Sequence, residues 1–404
     1  MDLTRIRNGA QEMAGEATET RRHLHAHPEL SWEEVETSRF IASKLEEIGF
    51  REVRVGVDGK AIGVVADLAG KQSGNGPRVA LRADIDALNL IEENDLPYKS
   101  QCGAMHACGH DAHITMLLGT AKLLYSMKDE LPGRVRFIFQ PAEEHGLHSG
   151  AGAMIEEGVL DGVDAIAGMH VWSHVPSGRV QWRSGPVMAS AEGWNVKFRG
   201  RGGHGAMPHK AIDPTVAAAN FILALQTLVS REINPLETAV ISVGKLVSGE
   251  AINIIPETAE MIGNFRTFSV EVLDKIKEGF RRIADGVAAT YRCEAETEYL
   301  RVYPYPVVND RALSELLRDT AIELVGEGDV EESPMLMTSE DFSFYQTRVR
   351  GVLFFLGSGD EAKGTTAAHH SSRFDFDDDV LPRGIALMSS FACAALSKLS
   401  EGKL

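Results

Sequence analysis

Cysteine is scarce in this chain: Cys102, Cys108, Cys293 and Cys393 are four among 404 residues. So few thiols in so long a chain make no disulfide framework, and they point to a reducing setting, the cytoplasm. Long apolar runs are missing too. The opening "MDLTRIRNGAQEMAGEATET" has no apolar core of the kind a signal peptide carries. No uninterrupted apolar stretch approaches the roughly 20 residues needed to span a bilayer. An excess of positive charge is also absent: 41 Lys and Arg stand against 58 Asp and Glu, a formal net charge of −17. That balance argues against nucleic acid and anionic membranes as partners, since both are polyanions. There is no internal repeat and no low-complexity tract. What is present is the composition of a globular protein, 44% apolar and 25% charged. The length exceeds one ordinary core, so two domains are expected.

The N-terminal third alternates helix and strand patterns. "SRFIASKLEEIGF" has apolar residues at helical spacing and stops at Gly49, a natural C-terminal residue for a helix. "RVALRADIDAL" (78–88), "RVRFIFQPAEE" (134–144) and "AIAGMHV" (165–171) read as short buried strands. Strand, helix and strand in turn predict an α/β domain with a mainly parallel central sheet covered by helices on both faces. Ligands of such sheets sit beyond the carboxyl ends of the strands, and there lie Asp84, Asp86, Glu143, Glu144 and His170.

From about Trp182 the pattern changes. "EGWNVKFRG" reads as a strand, and "DPTVAAANFILALQTLVS" as a helix with Asp213 as N-cap and Pro214 in its first turn. Two strands, "ETAVISVGKLVSG" and "AEMIGNFRTF", precede the helix "EVLDKIKEGFRRIADGVAATY" and a closing strand, "EAETEYLRVYP". The order β-α-β-β-α-β is that of a ferredoxin-like α+β sandwich. It reads as an insertion, because the α/β pattern resumes with "VLFFLGSG" and a last helix, "LPRGIALMSSFACAALSKL". The expected boundaries are 1–185 and 301–404 for the two parts of the α/β domain, and 186–300 for the insert. The polar stretch "AGKQSGNGP" (69–77) is expected to be a surface connection.

The densest chemistry lies in "GAMHACGHDAHITMLLG" (103–119). Cys108 and His110, two apart, share one side of an extended loop but not of a helix. Thiolate and imidazole suit a borderline-soft ion such as zinc and do not suit calcium or magnesium. Two other readings stay open on local sequence. Cys108 is a buried thiol beside a helix start capped by Asp111 with His113 on its first turn, or it is a nucleophile with a histidine base. "QPAEEHG" adds Glu143 and Glu144 on opposite sides of the chain at a strand end. One can bind a metal while the other faces substrate as a general base. His170 is a further strand-end imidazole, and "AAHHSSRFDFDDD" supplies His369 and His370. The alternating His23, His25 and His27 of "RRHLHAHPELSWEE" also have a spacing that could hold a metal, but Arg21 and Arg22 beside them oppose a cation. These histidines are expected to be structural or close to substrate rather than ligands.

With these pieces in hand, the chain resembles the M20 metallopeptidase family, in its amidohydrolase branch of aminoacylases, hippurate hydrolases and indole-acetyl-amino-acid hydrolases. The matching stretches are "RRHLHAHPELSWEE", "LRADIDAL", "MHACGHDAH", "FQPAEE", "GMHV", "GGHGAMPH", "NIIPETAEMIGNFRTF", "TSEDFSFY" and "HHSSRFDFDDD". They come in the family order and cover nearly the whole chain. The resemblance implies a metallopeptidase-like catalytic domain with an inserted ferredoxin-like lid. It implies two divalent metal ions, zinc or manganese, with cobalt and nickel suited to the same donors. Cys108 would bridge them, where peptidase branches use an aspartate, and His110, Glu144, His170 and His370 would complete the ligand set. Of the two adjacent histidines, His370 is favoured because it directly precedes the "SxxF" run. Glu143 would take a proton from the attacking water and pass it to the leaving amine. Asp86 would orient the site, and Asp84 stands where the peptidase branches carry a histidine ligand whose place His110 takes here. In the lid, His204 would polarise the scissile carbonyl, and Asn253 and Arg266 would hold the substrate carboxylate. For His204, a plain turn residue among Gly202, Gly203 and Gly205 is what the bare sequence favours.

The implied substrate is a small N-acyl or N-aroyl L-amino acid, with a dipeptidase or carboxypeptidase as the alternative. A metal- or ligand-binding module without activity is the rival of another class, although every catalytic position holds the residue type the chemistry needs. Asn89 and Ser372 stand where the family usually has proline. The lid implies a homodimer or homotetramer, joined through edge strands such as "ETAVISVGKLVSG".

Overall fold

Three apolar runs of the N-terminal third become the centre of an eight-stranded sheet. Its order is Val53–Val57, Lys60–Ala69, Arg134–Gln140, Arg78–Asp84, Ala165–Pro176, Arg350–Gly359, Val180–Trp182 and Val330–Glu332. The four central strands run parallel, and antiparallel pairings join the flanking strands Lys60–Ala69 and Val180–Trp182 to them. In Arg78–Asp84 and Arg134–Gln140 every residue but the first is buried, as expected of strands covered on both faces. Register then aligns the strand ends. Asp84 pairs with Gln140, and Arg82 with Gly168, so that Asp84 comes level with His170. The computed structural model describes residues 2–70 and 76–404. The polar connection expected over 69–77 falls largely on 71–75, outside the described residues.

The sheet belongs to the first of two units, Met1–Val187 with Val308–Pro334 and Asp341–Leu404. Two of the helices packed in its core are mostly buried. In His110–Ser126, 13 of 17 residues are buried, which explains why its sequence shows no polar stripe. The last helix, Leu381–Ser400, is long and apolar enough to cross a membrane by composition, but it packs as a core helix with 14 of its 20 residues buried. The helix Val35–Ile48 ends at Gly49, whose φ of 116° lets the chain turn left-handed.

The second unit is Met188–Val307 with Met335–Glu340. Against the insert expected over 186–300, this unit starts at 188, runs on to 307 and takes in the separate 335–340 segment. Its sheet is antiparallel, in the order Ala239–Ser248, Thr258–Thr267, Ser190–Arg199 and Glu294–Tyr303. The helices Pro214–Thr227 and Val270–Tyr291 complete a β-α-β-β-α-β succession. Asp213 accepts from Thr215 N–H and Ser269 from Val272 N–H, which fixes both helix starts. Trp194, Phe198, Phe221, Phe265 and Phe280 form its buried aromatic centre.

Candidate metal centre

The site starts from Gly109. Its φ of 90° is left-handed, and a Cβ there would lie 2.4 Å from Val171 Cγ2, so only glycine fits between Cys108 and His110. The reversal leaves Cys108 just outside the helix and makes His110 its first residue. His110 Nδ1 donates to the Asp86 carbonyl at 2.9 Å and lies 3.2 Å from Asp86 Oδ1. That bond fixes the ring and leaves Nε2 buried, with no hydrogen bond among the described residues and Asp84 Oδ2 3.7 Å away. His170 is pinned in the same way. Its Nδ1 donates to Val171 O at 2.6 Å, and its Nε2 lies 3.4 Å from Cys108 Sγ.

The strand Arg134–Gln140 delivers the carboxylates. Glu144 N–H donates to Asp86 Oδ2 at 2.9 Å, and Glu144 Oε1 lies 3.2 Å from His370 Nε2. The donor atoms of Cys108, His110 and His170 all lie within 4.8 Å of one another. Those of Cys108, Glu144 and His370 do so as well, and so do those of His110, Glu143 and Glu144. One thiol is thus common to two donor triads. Thiolate, imidazole and carboxylate at this spacing fit a pair of borderline divalent cations.

Electrostatics point the same way. Burial alone would lower the His110 imidazole, but Asp84, Asp86 and Glu144 outweigh it and push it up to about 10. Buried carboxylates here call for positive charge, and a divalent cation would displace that proton. Burial, helped by His113 and His369, holds His170 well below the usual histidine range, ready to offer a lone pair.

His369 and His370 part company. His369 Nε2 accepts from Ser173 N–H at 3.2 Å, and its ring packs 4.8 Å from both Trp172 and Phe374. His370, at a left-handed φ of 63°, turns its ring to Glu144 while its N–H donates to Ala107 O at 2.8 Å. Asp84 accepts from His113 Nδ1 at 2.6 Å and from Arg82 Nη1 at 2.7 Å. His113 Nε2 in turn accepts from Val171 N–H at 2.9 Å, so both of its nitrogens are engaged.

The helix-cap reading of Asp111 holds only in part: its Oδ1 accepts from Ala112 N–H in the first turn at 2.9 Å, but it is not the N-cap residue. Gly109 is the N-cap residue, and Asp111 Oδ2 is held at 2.9 Å by Arg21 Nε and at 2.8 Å by His25 Nδ1, all three fully buried. Asp375 takes the other end of Arg21 at 2.7 Å. His23, His25 and His27 do not converge on one point, although the rings of His23 and His27 lie 4.6 Å apart. His23 and His25 lie on the helix Ala14–Ala26, where alternate residues face apart, and His23 packs on Phe40 while His25 turns inward.

In the second unit, His204 pairs in register with Ile254, next to Asn253, whose carbonyl accepts Gly205 N–H at 2.8 Å. His204 Nδ1 accepts from Ala206 N–H at 3.1 Å, so a neutral ring carries its proton on Nε2. Arg266, on Thr258–Thr267, donates to Ser339 Oγ at 3.1 Å and Met337 O at 3.3 Å. No carboxylate pairs with it among the described residues. Burial lowers its pKa.

Sequence reasoning assigned nothing to Arg82 or Asp341. Arg82 bridges Asp84, Gln140 and Asp341, and Asp341 also accepts from Ser149 Oγ at 2.7 Å. The available signal was an arginine inside an otherwise buried strand, "VALRAD".

Residues 80–394 match the family described as Peptidase family M20/M25/M40. The chain is 40% identical to an IAA-amino acid hydrolase ILR1-like 4 of Arabidopsis thaliana, over 95% of this chain and 86% of that one. It is 41% identical to a thermostable carboxypeptidase 2 of Saccharolobus solfataricus, over 95% and 96%. Among solved structures, the Bacillus subtilis YXEP protein, described as a dinuclear metal binding peptidase from the M20 family, superposes with a TM-score of 0.83. It is 35% identical, with 96% of this chain and 99% of that one covered. The chain belongs to the M20 peptidase family, in its amidohydrolase branch, and is a hydrolase.

Proposed function

We propose that the protein hydrolyses the amide bond of N-acyl L-amino acids, with acetyl, benzoyl or similar acyl groups. Two divalent ions, zinc or manganese, would be held by Cys108, His110, Glu144, His170 and His370. When bound they supply Lewis acidity, lowering the pKa of water from about 15.7 toward about 7 and polarising the acyl oxygen. The observation that carries this proposal is the thiol common to two donor triads, with a second carboxylate, Glu143, beside them.

Glu143 takes a proton from the attacking water as its oxygen joins the acyl carbon. The same carboxyl gives that proton to the nitrogen as the C–N bond breaks, releasing a carboxylic acid and an amino acid. Asp86 holds the His110 ring through Nδ1 and Glu144 through its backbone N–H. His204, with its proton on Nε2, suits the developing oxyanion. Arg266 and Asn253 bind the substrate carboxylate, a role supported by an arginine that pairs with no carboxylate among the described residues. The working form is a cytoplasmic homodimer or homotetramer joined through the second unit, whose edge strand Ala239–Ser248 exposes Val240, Leu246 and Val247.

The plant relative's name gives an amino-acid conjugate as substrate and supports the N-acyl reading. The archaeal relative is named as a carboxypeptidase and supports the second reading, hydrolysis of short peptides. Initial rates with N-acetyl-methionine, hippurate and a set of dipeptides separate the two. The proposal expects the acyl amino acids to be turned over at the higher kcat/KM, and a preference for dipeptides would reverse the order. Arg266→Ala is expected to cost about 2–5 kcal/mol in kcat/KM with carboxylate substrates, chiefly through KM. With the matching carboxamides, wild type and variant should perform alike.

A further inference from the structure

The segment 28–34, "PELSWEE", touches the site from behind at two points. Ser31 Oγ donates at 2.7 Å to Asp86 Oδ2, the oxygen that also accepts Glu144 N–H. Three residues on, Glu34 is fully buried, and its Oε1 accepts from Ala142 N–H at 2.7 Å. The segment has a firm base of its own. The Glu29 carboxylate accepts from Glu36 N–H and Thr37 N–H in the first turn of Val35–Ile48, and Ala87 N–H donates to Glu29 O at 2.8 Å.

Ala142 is the unusual member of this contact. It directly precedes Glu143 and has a φ of 51°, in the left-handed region that alanine enters only when its surroundings hold it there. Its carbonyl accepts Gly150 N–H at 3.2 Å, at a glycine whose Cβ would lie 1.7 Å from Pro141 O. The turn 141–144 is therefore gripped from both sides, and Glu34 is the grip that reaches it from a distant segment. Relaxing Ala142 to an ordinary conformation would re-aim both carboxylates that follow.

We infer that Glu34 is a positioning residue for the hydrolytic step: its hydrogen bond to Ala142 N–H holds the left-handed turn that aims Glu143. The inference rests on Glu143 being the general base. What the contact needs is an acceptor oxygen rather than a charge. Burial, with Asp86 nearby, pushes the Glu34 carboxyl up to about 8, so glutamine is its close mimic near neutral pH.

The test is steady-state kinetics with N-acetyl-methionine, together with metal content, on Glu34→Ala, Glu34→Gln, Ala142→Gly and the double variant Glu34→Ala/Ala142→Gly. Glu34→Ala should lose roughly 10²-fold in kcat through misplacement of the base, with KM and bound metal little changed. Glu34→Gln should stay within about threefold of wild type, because it keeps the acceptor. Adding Ala142→Gly to Glu34→Ala should recover about tenfold or more, since glycine takes a positive φ without steric cost. If Glu34→Ala does not fold, Glu34→Asp shortens the reach to Ala142 and is expected to show the same kcat loss and the same rescue. Full kcat in Glu34→Ala overturns the inference, and so does a Glu34→Gln enzyme as impaired as Glu34→Ala or an absent glycine rescue. Glu143→Gln run alongside keeps the two levels apart. If it loses activity while Glu34→Ala does not, only the inference fails. If Glu143→Gln stays active, the reading beneath it fails.

Discussion

Cys108→Ala is expected to empty both cation positions at once. The thiol sulfur is the one donor common to the Cys108–His110–His170 and Cys108–Glu144–His370 triads, so its removal leaves each of them with two donors. The His110 and His170 imidazoles cannot compensate, because each is tethered through Nδ1 to a backbone carbonyl and cannot swing toward a lost ligand. Losing the Lewis acid removes several kcal/mol of transition-state stabilisation. Activity should then fall by roughly 10³-fold or more in kcat/KM, at about 1.4 kcal/mol per tenfold. His370→Ala removes a donor from one triad only and is expected to lose about one ion in two. Plasma mass spectrometry on each purified variant reads the difference directly. A Cys108→Ala protein that keeps both ions would show that the thiol is a bystander.

Glu143→Gln tests the other half of the chemistry. The side chain lies beside His110 and Glu144 but belongs to neither triad that contains Cys108. An amide in its place should leave metal content unchanged and remove the proton acceptor. The expected loss is ~10²–10⁴-fold in kcat, with KM close to that of wild type. Activity above about a tenth of wild type with full metal would assign the base to another group, since that residual is too large for a lost general base. Together the two variants separate failure to bind the ions from failure to move the proton.

The metal-centre candidates were legible in the sequence for a definable reason. Buried parallel strands announce themselves as apolar runs, and the register of Arg78–Asp84, Arg134–Gln140 and Ala165–Pro176 brings their charged ends to one level. The Cys-Gly-His turn could be read as well, because a glycine between two ligand types is a local signal. Partners remote in the chain could not. Asp111 looks like a helix cap in its own neighbourhood, but its second oxygen is taken by Arg21, 90 residues earlier. Glu33 and Glu34 are indistinguishable as letters, yet one is exposed and the other fully buried, because the turn entering the next helix rotates them apart. His369 and His370 differ in the same way, since the left-handed backbone at His370 sends adjacent rings in different directions. The attachment of 335–340 to the second unit leaves no mark in periodicity either, for so short a segment has none.

The central claim is a pair of catalytic divalent ions held around one shared thiol. It is tested most directly by counting metal per chain in freshly purified protein, and by following N-acetyl-methionine hydrolysis before chelation, after it, and after metal is restored. About two ions per chain, with activity lost on chelation and regained on adding zinc or manganese, is the predicted result. Protein that carries no metal, and hydrolyses nothing whichever divalent ion is supplied, would contradict it.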